Sequence, residues 1–80
     1  MDITYYVAVP FDRDDTGALT AGEAAETPSA PAAERKARSL AVMHAGAVAF
    51  SRVGDPTMGE FQEAVLLAQF GEVDLNALSA

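Results

Sequence analysis

Apolar and polar positions alternate from Ile3 to Phe11. Ile3, Tyr5, Val7, Val9 and Phe11 fall on one side, and Thr4, Tyr6, Ala8 and Pro10 on the other. A period of two in β-branched and aromatic residues predicts a strand. Pro10 has no N–H to give to a sheet ladder, so this strand is expected at an edge or to end there. The polar cluster Asp12 to Gly17 reads as a turn. Ala18 to Thr27 is a weaker strand candidate, alanine-rich and interrupted by Gly22, with a short helical turn as the alternative.

The period then changes. Thr27 to Pro31 (TPSAP) breaks the chain, Ser29 is placed to cap a helix, and Pro31 is tolerated in a first turn. A helix is expected from about Ala30 to His44, with Ala33, Ala37, Leu40, Ala41 and His44 on one side and Arg35, Lys36 and Arg38 facing water. Glu34 and Arg38 stand at a favourable i,i+4 spacing, and Gly46 is expected to cap the C-terminus. Ala47 to Val53 alternates again as a strand, and Gly54 to Gly59 (GDPTMG) is a turn. Glu60 to Phe70 fits either a helix or a strand. The strand is preferred, because a tight turn between two apolar runs makes a hairpin. The two halves, VPF-DRDDTG and SRV-GDPTMG, repeat one outline.

The expected fold is therefore α+β: an antiparallel sheet of about four strands in the order ββαββ, with one helix packed on one face. It spans residues 1–73 as a single domain, with a frayed tail over 74–80. With 80 residues, such a chain buries only about 60–65% of its unfolded surface. The core is expected to rest on Ile3, Tyr5, Val7, Val9, Phe11, Leu40, Val48, Phe50, Phe61, Val65, Leu67 and Phe70. If the helix covers that face, the opposite one presents Thr4, Tyr6, Ala8, Ala49 and Ser51, a small, semi-polar surface for a partner or a second copy.

A formal charge of −7 argues against direct nucleic-acid binding and against anionic membrane surfaces. It suits solubility or a basic protein partner. The chain has no cysteine, which excludes disulfides, thiol catalysis and cysteine zinc sites. The start MDITYYVAVPF lacks a basic segment, and its apolar run is too short for a leader or a membrane span, so the expected location is cytoplasmic.

Several segments, namely Tyr5 to Val7, Ala21 to Ala24, Gly46 to Arg52, Gly54 to Pro56, Gly59 to Glu60 and Phe70 to Val73, resemble a group of small conserved hypothetical proteins of alpha-proteobacteria. The resemblance covers most of the chain. It implies a bacterial protein of ββαββ type and supports the strand reading of Glu60 to Phe70. It carries over neither activity nor catalytic residues.

The strongest chemical motif is DRDDTGALTAGE, Asp12 to Glu23, which nearly satisfies the calcium loop of an EF-hand. Asp12, Asp14, Thr16 and Glu23 occupy ligand positions and Gly17 the sharp turn. Its setting is wrong, however: Val7, Val9 and Pro10 stand where an incoming helix is needed, and no second loop pairs with it. An acidic hairpin turn is the preferred reading. His44, the single histidine, is expected to be a surface or rim residue. No serine has a nucleophile's context, no glycine-rich loop cradles phosphate, and no cofactor is called for.

The expected function is that of a non-catalytic, small acidic binding or regulatory module acting through protein contacts. Asp12, Asp14, Asp15, Arg35, Lys36, Arg38 and Tyr6 are the candidate contact residues, and a homodimer through the open sheet face is one form of it. The alternatives are a phage- or defence-related acidic inhibitor that imitates nucleic acid, of the anti-CRISPR kind, and a calcium-responsive module.

Overall fold

A computed structural model describes residues 1–78. Its elements are β1 (Ile3–Arg13), β2 (Leu19–Ala21), β3 (Ala25–Thr27), α1 (Ala30–Met43), β4 (Gly46–Asp55), β5 (Glu60–Phe61) and β6 (Val65–Gly71), followed by a 3-10 turn at Leu75–Leu78. The fold is α+β, with one helix on an antiparallel sheet. The sheet has six strands, not four. The six strands occupy four lanes: β2 and β3 both run along β1, and β5 and β6 both run along β4. The order expected as ββαββ is therefore βββαβββ, with each outer strand broken once.

Pro10 explains the first break. β1 is a central strand, paired with β4 from Ile3–Gly54 to Phe11–Gly46, so the expectation that Pro10 marks an edge is corrected. Gly22 N–H donates to the Pro10 carbonyl at 2.8 Å. A strand residue points its N and its C=O to the same edge, so the missing Pro10 N–H faces the gap between β2 and β3. The ladder is interrupted where it has no donor. The second break, at residues 62–64, lies opposite Arg52 and Val53. Gln62 N–H donates to the Val53 carbonyl at 2.8 Å and Arg52 Nε to the Gln62 carbonyl at 2.9 Å.

Helix α1 starts where its cap predicts. Ser29 Oγ accepts from Ala32 N–H at 3.2 Å, which satisfies one of the free donors of the first turn. The C-terminus differs from expectation. His44, not Gly46, is the cap, with extended φ and ψ of −131° and 172°, and Gly46 already belongs to β4. No ion pair joins Glu34 to Arg38 among the described residues; the Arg38 guanidinium lies 5.5 Å from the centre of the Phe70 ring.

The largest correction concerns which face of the sheet the helix covers. Ala33 and Ala37 pack against Ala8, Ala47 and Ala49, all with no exposed surface, and Tyr6, Leu40, Ala68 and Phe70 surround them. The helix therefore sits on the face expected to be open, where small side chains on both elements allow the closest approach. The side with Tyr5, Val7, Val9 and Phe11 points away from the helix. At one end of that side Val9, Phe11 and Val48 are buried under Leu19 and Val73. The core is smaller than expected: Tyr5, Val7, Leu40, Phe50, Leu67 and Phe70 are half-buried, and Ile3, Phe61 and Val65 are exposed. The tail expected to fray carries the 3-10 turn, opened by Asp74 Oδ1 accepting from Asn76 N–H at 3.0 Å. Residues 79–80 lie outside the described residues.

Candidate functional site

The side chains that face away from the helix form rows across the lanes. Backbone register places Glu26, Val7, Phe50 and Leu66 in one row, and Tyr5 beside Arg52 in the next. Phe61 pairs with Gly54 in the row after that. A side chain at Gly54 would put its Cβ 2.1 Å from the Phe61 ring, so the glycine is what lets that ring lie flat over the sheet. The Tyr5 ring meets Phe61 at 6.1 Å and 43°, and the Arg52 guanidinium lies 5.2 Å from the centre of the same ring.

These groups enclose an open depression of about 510 Å³. Val7 and Phe50 form its floor, Tyr5, Phe61 and Arg52 one wall, and Ala24 and Glu26 the other. Phe61 remains 46% exposed and Leu66 47%. The depression can take apolar groups, and it holds one cation and one anion on opposite sides. Arg52 and Glu26 make no ion pair with each other among the described residues. The signal for this face lay in the sequence: alanine on one side of both central strands matches the alanine stripe of the helix.

The expected contact residues are spread over three places. Asp12, Asp14 and Asp15 lie at the β1–β2 end, and Arg35, Lys36 and Arg38 on the outside of α1. Tyr6 is under the helix rather than on an open face. None of them lines the depression. The twelve residues Asp12 to Glu23 form a hairpin and a strand break instead of an EF-hand loop. Arg13 pairs with Leu19 in the ladder. Asp14 Oδ1 accepts from Thr16 N–H at 2.9 Å, Thr16 Oγ1 at 2.6 Å and Ala18 N–H at 3.1 Å. Gly17 supplies the left-handed turn at φ +83°. Among the described residues no group of three or more His, Asp or Glu side chains is arranged to hold a metal.

Asp12 turns elsewhere. Its Oδ2 lies 2.5 Å from His44 Nδ1 and its Oδ1 accepts from Ala45 N–H at 3.1 Å. One carboxylate thus ties the end of α1 to β1. No local spacing signals this pairing, because 32 positions separate the two residues. An aspartate on Nδ1 orients an imidazole and leaves Nε2 as a base, but no hydroxyl is hydrogen-bonded to the ring among the described residues. The second tip repeats the first: Asp55 Oδ1 accepts from Thr57 N–H at 3.0 Å and Thr57 Oγ1 at 2.5 Å.

These bonds hold three carboxyls below their ordinary value of 3.8: Asp12 chiefly by the His44 hydrogen bond, Asp14 by the Thr16 side chain and Asp55 by the Thr57 side chain. The folded state thus favours the ionised forms. Their contribution is fully present above the unfolded-state value and is lost as pH falls through the lower folded values. Urea midpoints recorded from neutral pH downward are expected to be flat until pH nears 3.8 and to drop below it. Asp14→Asn, which keeps the acceptor and removes the charge, is expected to show a shallower drop.

Comparison with family models, with curated proteins and with solved structures returns no match for this chain. No described helix is long and apolar enough to cross a membrane.

Proposed function

We propose that this is a non-catalytic binding module whose recognition surface is the sheet face opposite the helix. One observation carries the reading: β1 and β4 are apolar on both faces, and α1 covers only one. An antiparallel sheet that meets water on one side normally alternates apolar with polar residues. Here Ile3, Tyr5, Val7, Phe50, Phe61 and Leu66 stand where polar residues would be expected. The molecular extents of 41 × 25 × 16 Å accommodate a sheet and one covering layer, since packed layers lie about 10 Å apart. Beyond Leu19 and Val73 at one end, no described element covers this face, and a binding partner is the cover we assign to it.

Imitation of nucleic acid draws less support. Asp12, Asp14, Asp55 and Glu72 are already committed, Glu72 to Arg13 through two bonds of 3.2 Å. An array of phosphate mimics needs carboxylates free to meet a basic partner.

The test compares immobilised wild-type protein with Phe61→Asp, which puts a charge on the open face, and with Arg35→Glu, which changes the outside of the helix. Binding of a partner protein from native lysate is expected to be lost with Phe61→Asp and kept with Arg35→Glu. Capture that is indifferent to Phe61→Asp would sink the proposed surface.

A further inference from the structure

We propose that the molecule covering the open face is a second copy of this chain, docked face to face in a symmetric dimer with two Glu26–Arg52 ion pairs. The inference rests on the reading of that face as the recognition surface, and it names the partner.

The first argument is the size of the core. Among the described residues, eight apolar ones are buried and five of these are alanines, and Phe11 and Val48 are the only large side chains with essentially no exposure. A small domain with so little buried area gains most from an association that every copy can make. A standard interface needs about 800 Å² from each partner, roughly one-sixth of the 5133 Å² surface of this molecule. Its 41 × 25 Å outline offers a face of that order.

The second argument is charge. The depression on this face carries one acid, Glu26 on β3, and one base, Arg52 on β4. Both are exposed, and neither has an opposite charge to meet within its own chain among the described residues. Arg52 Nε is held by the Gln62 carbonyl and its plane rests on Phe61, which fixes the guanidinium while leaving its two terminal nitrogens available. Glu26 stands two lanes away and one row along, about 12 Å between Cα atoms from the spacings of strands and residues. A twofold axis lying in the interface and crossing β1 between Tyr5 and Val7 exchanges these two positions. Each Glu26 then meets the other copy's Arg52, and both pairs form at once, as an isologous interface requires. The Val7–Phe50 floors of the two copies then lie across from each other at the axis.

The charge balance also argues against a basic partner here. The net −7 resides outside the depression, whose one acid and one base balance. A basic partner would be drawn to the hairpin tips instead.

Sedimentation equilibrium over micromolar to millimolar concentrations tests the proposal. Wild type is expected to dimerise. Glu26→Arg and Arg52→Glu, each placing like charges together twice, are expected to raise the dimer Kd by about 100-fold or more. Mixing the two single variants is expected to restore the dimer as a heterodimer, since every contact then pairs opposite charges. The doubly exchanged E26R/R52E chain is expected to dimerise with itself. Restoration on mixing also shows that the single variants remain folded.

Three outcomes overturn the proposal: wild type that stays monomeric at millimolar concentration, a dimer unaffected by the single reversals, or folded single variants that do not combine on mixing. A monomeric wild type whose capture of another protein is abolished by Phe61→Asp removes the dimer and leaves the recognition face in place.

Discussion

Phe11→Ala is expected to leave most of the chain unfolded in water at room temperature. The Phe11 ring has no exposed surface and is one of two large side chains in that state among the described residues. Its removal costs about 3–5 kcal/mol in lost burial and cavity formation. A domain of this size has about 4–12 kcal/mol in total, and an alanine-rich core places this one toward the lower end. Leu19 and Val73, which close over Phe11 and Val48, would have to collapse into the void, and neither belongs to a long element. Urea denaturation followed by far-UV circular dichroism checks this. Val42→Ala, at a helix position 82% exposed, should leave the midpoint almost unchanged. A Phe11→Ala midpoint close to wild type would show that this cluster is not the core.

Gly46→Ala is expected to be the next most damaging change, although it adds a single methyl group. The new Cβ would stand 2.1 Å from the Glu72 carbonyl oxygen and 2.5 Å from the Glu72 nitrogen. These are backbone atoms that cannot swing aside. Glu72 N–H is meanwhile bonded to the Ala45 carbonyl at 3.0 Å, so displacing it also breaks the bond that brings the end of β6 to the start of β4. Overpacking of this kind costs about 1–3 kcal/mol, and the rigid obstacle puts it at the top of that range or above. The same denaturation experiment reads it, and an unchanged midpoint would mean that the Glu72 segment yields easily.

These two sites mark what could be read from the residues and what could not. Local signals held where the chain interacts with itself over short distances: the Ser29 cap, the period of α1, the Asp14 and Asp55 turns, and the interruption at Gly22. The strand preference for Glu60 to Phe70 also agrees with the structure. The errors came from tertiary placement. Alternation along β1 separates two faces but does not say which one meets the helix, and ranking by size chose the wrong one. What decides it is the match between alanines on α1 and alanines on β1 and β4, a relation between elements. Gly46 looked like a helix cap because a glycine after a helix commonly is one; its true constraint is Glu72, far along the chain. The candidate contact residues erred for the same reason. Charged tips and strips are visible in sequence, whereas Glu26, Arg52 and Phe61 become neighbours only through the register of three separate strands.

Pro10 predicts an edge strand or a strand end, yet it lies within a central strand, with its missing donor turned toward the break between β2 and β3. That arrangement bears on how the molecule assembles. Each outer strand is reached from its central neighbour through a short turn, so each half closes only a small loop to begin its ladder. The β1–β4 ladder must instead bring together strands with the whole of β2, β3 and α1 between them, and the closure entropy of that long loop is met before any pairing rewards it. The two halves are thus expected to form first and to join late, at the seam of alanines under the helix. In kinetic terms the side chains of that seam, more than those of either turn, set how fast the chain becomes one molecule. Comparing stopped-flow folding rates of Ala49→Gly and Thr57→Ala checks the order, and a larger slowing by the turn variant would reverse it.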